Sequence, residues 1–341
     1  MAFYVGEVMC LDGFVVAKHS CWPGFRSAIR CLPGRVSAMR VLVTGSRGFV
    51  GTWLVRHLED CGDSVLAVDA EVDVTDAAKL RTVLLGGEPD WVVHLAALAS
   101  VGSSWNESKA TYEVNTVGAA NLLDAAAACR RSPRVLFVSS SEVYGRVPAA
   151  DLPIAEDQPV APMSPYAASK AAAEVIAAQM WRTRGLEVII ARPFNHTGPG
   201  QRADFVVPAL ARQVAKAVLS GAATVRTGNL DVSRDLSDVR DVVVAYRLLL
   251  EHGQPGEIYN VCSGRSVLIR QVAQRLLELA DVDLPILVDP DRVRPVDIPD
   301  MRGDCGRLVA TTGWEPAFPL DHTLADVLAY WMAEEREPTA L

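Results

Sequence analysis

The chain has 341 residues, half of them hydrophobic, enough for one large or two small globular domains with a sizeable core. Its formal net charge of −8 argues against a nucleic-acid-binding or anionic-membrane surface. No apolar run reaches the ~18 residues of a membrane span, and the seven cysteines contain no C-x-x-C pair, which speaks against zinc and for free thiols in a reducing cytoplasm.

Residues 1–38 differ in texture from the rest. They hold Cys10, Cys21 and Cys31, Gly-Pro punctuation and no clear hydrophobic period. Met39 directly precedes Arg40-Val41-Leu42-Val43-Thr44-Gly45, which opens a strand. The segment reads as an extension, disordered or foreign to the functional protein, with a targeting leader as the alternative. It lacks the compact apolar stretch and small-residue cleavage site of a secretory signal.

From Arg40 short apolar runs alternate with helical stretches. The pattern predicts strands at Val41–Thr44, Ser64–Asp69, Trp91–Leu95, Val135–Ser140 and Glu187–Ala191. It predicts helices at Gly48–Asp60, Asp76–Leu85, Ser108–Cys129 and Tyr166–Thr183. Strands joined by crossover helices imply an α/β fold, a doubly wound parallel (Rossmann) sheet over residues 39–193, with ligands at the carboxyl ends of the strands. After Phe194 Pro and Gly become frequent. A helix at Gln271–Ala280, a strand at Leu284–Val288 and an amphipathic helix at Leu320–Glu335 suggest a smaller C-terminal α/β substrate lobe over residues 194–335, with later segments returning to the first domain.

Thr44-Gly45-Ser46-Arg47-Gly48-Phe49-Val50-Gly51 joins the first strand to the first helix. Gly45 permits a tight turn, Gly48 lets backbone approach a pyrophosphate, and Gly51 lets helix pack on strand. The diphosphate then meets a helix N-terminus, so Arg47, Phe49 and Val50 count with the glycines as cofactor contacts. Asp69 ends the second strand, 18 residues past Gly51. A carboxylate there accepts from ribose hydroxyls and repels a 2′-phosphate. With no arginine in the next ten residues, NAD(H) is favoured and NADP(H) stays open. Asp73 and Val74 are placed against the adenine; alternatively Asp73 is a cap on the approach to the next helix.

Tyr166-Ala167-Ala168-Ser169-Lys170 places a phenol and an ammonium on one helix face. The ammonium is expected to bring the phenol's pKa down toward neutrality, making a proton shuttle. At the end of the fourth strand, Ser139-Ser140-Ser141-Glu142-Val143-Tyr144-Gly145 offers a hydroxyl for a reacting oxygen, and Glu142 as a candidate base.

Together, T-G-x-x-G-F-V-G, His94-Leu95-Ala96-Ala97, S-S-S-E-V-Y-G and S-P-Y-A-x-S-K resemble the extended short-chain dehydrogenase/reductases, which include nucleotide-sugar epimerases, dehydratases and reductases. The resemblance covers Met39 to about Trp331. It implies Ser140 as the catalytic hydroxyl, Asn115 as a cofactor-side asparagine, and Leu95, Ala96, Ala97 and Pro193 beside the cofactor with Tyr166 and Lys170. Arg192-Pro193-Phe194-Asn195-His196-Thr197-Gly198-Pro199-Gly200-Gln201 is similar to a segment of the GDP-4-keto-6-deoxy-mannose reductases, as are Gly228-Asn229-Leu230, Ser233-Arg234-Asp235 and Asp289–Asp297. It implies a nucleotide-sugar substrate, with Ser141, Asn195, Val207, Arg234 and Arg294 as contacts, since arginines pair with phosphate bidentately. Arg240 reads instead as structural, bridging acidic neighbours. Homodimerisation through Ser108–Cys129 and Tyr166–Thr183 is the habit of the family.

Reduction of a GDP-linked 4-keto-6-deoxy sugar at C4, giving a GDP-D-rhamnose type product, is therefore the expected activity. GDP-mannose 4,6-dehydratase is the main alternative, because Ser140-Ser141-Glu142 resembles its T-S-E arrangement. Against it stand T-G-P-G-Q after Asn195-His196, where that dehydratase has E-S-P-R-R-G, and the missing arginines after the second strand. Another nucleotide-sugar epimerase or reductase, or a non-catalytic NAD(P)-binding regulatory module, completes the alternatives. The second is disfavoured because Tyr166 and Lys170 are both present.

Overall fold

Runs such as Val41-Leu42-Val43 and Val92-Val93 have no polar face and need cover on both sides, which a parallel sheet between helices provides. The computed structural model, which describes residues 10–11, 14–15, 38–290 and 298–336, has that arrangement. The chain divides into two compact units, residues 1–32 and 33–341. In the first, β1 (Cys10–Leu11) and β2 (Phe14–Val15) pair antiparallel. Otherwise the reading of residues 1–38 as an extension falls almost wholly outside the described residues.

The second unit begins with β3 (Arg40–Thr44), α1 (Phe49–Asp60), β4 (Ser64–Val68), α2 (Ala77–Gly87) and β5 (Trp91–His94). A short α3 (Val101–Ser104) precedes α4 (Ser108–Tyr112), a π turn (Glu113–Val117) and α5 (Gly118–Ala127), which together replace the single helix expected over Ser108–Cys129. Then come β6 (Arg134–Val138), α6 (Pro165–Arg184) and β7 (Val188–Pro193). The C-terminal part contains β8 (Asn195–Thr197), α7 (Val206–Ser220), β9 (Val225–Thr227), β10 (Ser233–Asp238), α8 (Val239–His252) and β11 (Ile258–Val261). It ends with β12 (Ser266–Leu268), α9 (Ile269–Leu279), β13 (Ile286–Val288), β14 (Asp300–Met301), α10 (Gly306–Thr312) and α11 (Leu320–Arg336).

The six-stranded sheet has the order β11-β7-β6-β5-β3-β4, every pairing parallel. One edge strand of this sheet, β11, comes from far down the chain. Leu42, Val92, Phe137 and Val188 of the sheet pack with Leu122, Leu123 and Ala177 of the helices. A second core joins α7, α9 and α11 through Leu210, Leu276 and Leu324. Strand β10, whose Leu236 joins the second core, is flanked by β12, β14 and β8.

Strand β10 is polar yet buried, a cost that its two carboxylates offset by hydrogen bonding, while the Ser237 hydroxyl has no partner. Asp235, 0% exposed, accepts from the Ser263 amide and hydroxyl and from the Gly264 and Gly303 amides. Asp238 accepts from Arg240 and from the Thr323 hydroxyl, and Arg240 reaches on to Asp326. Arg240 thus bridges acidic neighbours as its sequence context implied.

Cys129, Cys262 and Cys305 are free thiols. Cys61, at the end of α1, is disulfide-bonded, which corrects the expectation of free thiols throughout. No helix among the described residues is long and apolar enough to cross a membrane.

Two glycines set the geometry that matters below. Gly45 has φ +69°, and a Cβ there would stand 2.8 Å from the Ala96 amide nitrogen. A Cβ on Gly51 would fall inside the carbonyl oxygen of Gly45. Gly51→Ala must therefore push α1 off β3, and we expect a loss of at least about 2 kcal/mol in unfolding free energy, as for overpacked cores. A denaturant melt with the wild-type midpoint would show the contact to be slack.

Candidate active site

Strand β6 delivers the chain into Ser139–Gly145 at the carboxyl edge of the sheet. Ser140 caps the tight turn Ser141–Tyr144 by accepting the Glu142 amide at 3.2 Å. Nearby, Ser164 caps α6 by accepting the Ala167 amide at 3.1 Å, and Pro165 fits the first turn, where no amide is needed. Tyr166 and Lys170 follow on successive turns, 8% and 3% exposed. The Ser140 hydroxyl and the Glu142 carboxylate both stand near enough to the Tyr166 phenol to act on its proton. The Lys170 ammonium donates to the Val138 carbonyl at 2.8 Å and stands 5.5 Å from the centre of the Phe137 ring.

The electrostatics differ from the sequence expectation. Burial pushes the Tyr166 phenol up to about 12; the Ser140 hydrogen bond opposes this and the Glu142 charge adds to it. Burial lowers the Lys170 ammonium to about 8 against the pull of Glu174. Lys170 therefore does not bring the phenol toward neutrality: burial prevails, and the ammonium is engaged by the Val138 carbonyl. At neutral pH the phenol keeps its proton and can only donate it.

The glycine turn fits a dinucleotide diphosphate. Gly48 caps α1, no side chain caps that end, and the Gly48 amide donates to Gly45 at 3.1 Å. The first-turn amides at Phe49 and Val50 are left facing outward for an anion. Leu95 and Ala96 lie against the turn, their amides donating to the Thr44 carbonyl and hydroxyl, with Ala97 half-buried beside them. Pro193 is buried at the end of β7. Asp69 stands at the end of β4, its carboxylate accepting the Arg47 amide at 2.7 Å and the Ala70 amide at 2.9 Å. The Arg47 guanidinium pairs with Glu71 and lies 3.9 Å from Asp69. A cation thus does reach this corner, from the glycine turn rather than from the loop after β4.

Other assignments find different surroundings. Asp73 accepts the Thr75 amide and hydroxyl, each at 2.8 Å, and Val74 is buried against Gly118. Asp73 thus has the local capping role that was its alternative. Asn115 is buried, with both amide protons committed to protein groups, Leu98 and Ser169. Asn195 and Arg234 line a cavity of about 290 Å³ with Phe205, Arg226, Gly228 and Asn229. Arg234 is held there by the Ser233 and Ile298 carbonyls. Val207 turns into the core of the C-terminal part, and its neighbour Val206 lines the cavity instead. Ser141 donates to the Met301 sulfur at 3.4 Å. Arg294 lies outside the described residues.

Sequence reasoning missed the supports. Arg192 donates to both oxygens of Glu174, at 2.9 and 2.6 Å, and lies 4.7 Å over the Tyr144 ring. The Tyr144 hydroxyl donates to Asn260 at 2.7 Å. These contacts brace the turn that carries Ser140 and Glu142. Glu174 is four residues past Lys170, so the helix spacing alone could have flagged it. His94, held neutral by burial with its pKa lowered to about 3, hydrogen-bonds Thr44 beneath the glycine turn.

Residues 69–327 match the family described as GDP-mannose 4,6 dehydratase. The GDP-6-deoxy-D-mannose reductase of Pseudomonas aeruginosa is 40% identical over 87% of this chain and 99% of its own length. The GDP-6-deoxy-D-talose 4-dehydrogenase of Aggregatibacter actinomycetemcomitans is 32% identical over 81% and 92%. Among solved structures, RMD from Pseudomonas aeruginosa complexed with NADPH superposes with a TM-score of 0.80 at 38% identity, covering 87% of this chain and all of the other. A Thermus thermophilus UDP-glucose 4-epimerase in complex with NAD gives 0.78 at 30% identity, covering 86% and 99%.

A step that uses both the Lys170 ammonium and the Tyr166 proton should lose rate as pH rises through about 8, where the ammonium deprotonates, while the phenol keeps its proton to about 12. We expect kcat/KM for ketone reduction to fall above that point, and Lys170→Arg, which keeps its charge, to push the fall upward. A profile level well into the alkaline range would remove the ammonium from the rate.

Proposed function

The chain belongs to the GDP-mannose 4,6-dehydratase family, and on that footing we propose that it reduces the C4 ketone of a GDP-linked 4-keto-6-deoxy sugar, using NADH or NADPH. The product is of the GDP-D-rhamnose type. The observation that carries this reading is the buried Tyr166/Lys170 pair on one face of α6, with the ammonium on the Val138 carbonyl of β6 and Ser140 leaving the same strand. A reduced nicotinamide bound at that edge supplies the hydride. Tyr166 gives its proton to the oxygen developing at C4, and Ser140 hydrogen-bonds the same oxygen. Lys170 holds positive charge beneath them. Asn195 and Arg234 receive the nucleotide end in their cavity.

Asp69 suits an unphosphorylated ribose, while the Arg47 guanidinium offers charge to a 2′-phosphate, so both cofactors remain in play. Residues 39–193 act as the dinucleotide-binding domain and 194–335 mainly as the sugar-nucleotide lobe. Trp105, Tyr112, Val117 and Val175 are exposed on and around α4, the π turn and α6, an apolar set that suits burial against a second copy, hence a homodimer. The cytoplasm, where nucleotide sugars and reduced nicotinamide are made, is the proposed location.

One observation favours a second reading. The Glu142 carboxylate lies near enough to Tyr166 to act on it through charge and, among the described residues, no hydrogen bond or ion pair engages it. A dehydratase needs such a base.

Incubation with GDP-4-keto-6-deoxy-mannose and NADH or NADPH should consume the reduced cofactor, and incubation with GDP-mannose should yield no 4-keto product. The opposite pair of results establishes the dehydratase. Tyr166→Phe should reduce turnover by ~10²–10⁴-fold, the usual worth of a positioned acid.

A further inference from the structure

The stretch from Ser108 to Ala127 is helical throughout but passes through the π turn at Glu113–Val117. A π turn is less favourable than α-helix and persists where contacts hold it. Here Asn115 supplies them. Its Oδ1 accepts the Leu98 amide at 2.8 Å, and its Nδ2 donates to the Leu98 carbonyl at 3.2 Å and to the Ser169 hydroxyl oxygen at 2.9 Å. Ser169 is 0% exposed and donates its own proton to the Tyr166 carbonyl at 2.7 Å. Thr116 adds a bond from its hydroxyl to the Ser169 carbonyl at 3.0 Å.

The path has two ends that matter. Leu98 closes the segment Leu95–Leu98, whose Ala96 lies against Gly45 of the glycine turn. Tyr166 carries the proton. Asn115 holds the Leu98 end through two part-buried bonds, and the buried hydroxyl of Ser169 carries the path from Asn115 to the Tyr166 carbonyl.

We propose that Ser169 is a positioning residue for the reduction: with Asn115 it fixes the Tyr166 backbone relative to the Leu95–Leu98 segment, and so sets where the phenolic proton stands over the cofactor side of the site. The inference rests on Tyr166 as the proton donor. Without the serine hydroxyl, Asn115 loses one acceptor and the Tyr166 carbonyl loses its link to Asn115, leaving the Thr116 bond to the Ser169 carbonyl as the remaining tie to the π turn. The chemistry of Tyr166 and Lys170 is unchanged; only their placement shifts, and a displacement of about 1 Å can cost ~10²-fold in rate.

The test uses full-length protein carrying Ser169→Ala, with Ser169→Cys as a second variant that keeps the volume and a weak donor. We expect Ser169→Ala to lower kcat about tenfold or more, with cofactor affinity within about twofold of wild type. The primary isotope effect on kcat from 4-deuterated reduced cofactor should rise, and Ser169→Cys should fall between. Wild-type kcat and isotope effect in both variants overturn the proposal. So does a loss of cofactor affinity with kcat unchanged, which makes the pair a cofactor-binding device.

A readout that needs no sugar separates this inference from the proposed reaction. In protein labelled with 13C at the tyrosine Cζ and bound to oxidised cofactor, the Tyr166 signal, assigned through Tyr166→Phe, should shift in Ser169→Ala. An unmoved signal overturns the positioning role even if the ketosugar is not the substrate. If instead the wild type oxidises no cofactor with the ketosugar while the signal moves, the reductase reading fails and the positioning role stands.

Discussion

The site depends on a buried ammonium. An amine charge taken out of water costs several kcal/mol unless the protein replaces its hydration. Lys170 finds that replacement in the Val138 carbonyl and the Phe137 ring, both on β6, with Glu174 one turn further along its own helix. Satisfying the ammonium fixes the depth and rotation of α6 against β6. Tyr166, one turn earlier, is thereby brought to Ser140, which leaves the same strand. A second charge, the Arg192 guanidinium on β7, fastens the next turn of α6 through Glu174. Two charge fastenings on one helix face leave little freedom for the phenol.

The same burial decides the direction of proton movement. A phenol pressed into a site with a carboxylate nearby and an ammonium turned to a carbonyl holds its proton at neutral pH. It is an acid waiting for an oxyanion, which suits ketone reduction better than alcohol oxidation. Further along the same carboxyl edge, beyond β4, the balance is finer. Asp69, Glu71 and Arg47 gather two negative charges and one positive where a dinucleotide ribose would lie. The pairing of Arg47 with Glu71 makes that corner adjustable, because the guanidinium already has a partner to exchange for a phosphate.

The first half of the fold was legible because its strands are apolar on both faces and its helices periodic; β3 to α6 fall within a residue or two of expectation, apart from the π turn. The second half was not. β10 reads Ser-Arg-Asp-Leu-Ser-Asp and looks like a loop, since its burial rests on hydrogen bonds to Asp235 and Asp238 that lie far apart in sequence. The helices α7 and α8 were left unassigned although both bury an apolar face. At the site, Tyr166, Lys170 and Ser140 came together as their motifs implied. Asn115 illustrates the limit: its position could be read, but that its protons are spent on Leu98 and Ser169 depends on a π turn with no local signature. Val207 failed for a similar reason, one helical position deciding between core and cavity.

Strand β11 lies at an edge of the main sheet yet is synthesised after β10 and α8 of the C-terminal part. On a ribosome, the residues of β3 to β7 emerge well before the strand that covers β7. Until Ile258–Val261 arrives, the β7 backbone presents an open row of donors and acceptors, the kind of edge on which chains stick to one another. The ion pair between Arg247 and Asp63 likewise waits for a partner 184 residues away. A chain cut between β7 and β11 would keep that row open, an adhesive fragment rather than a smaller working domain.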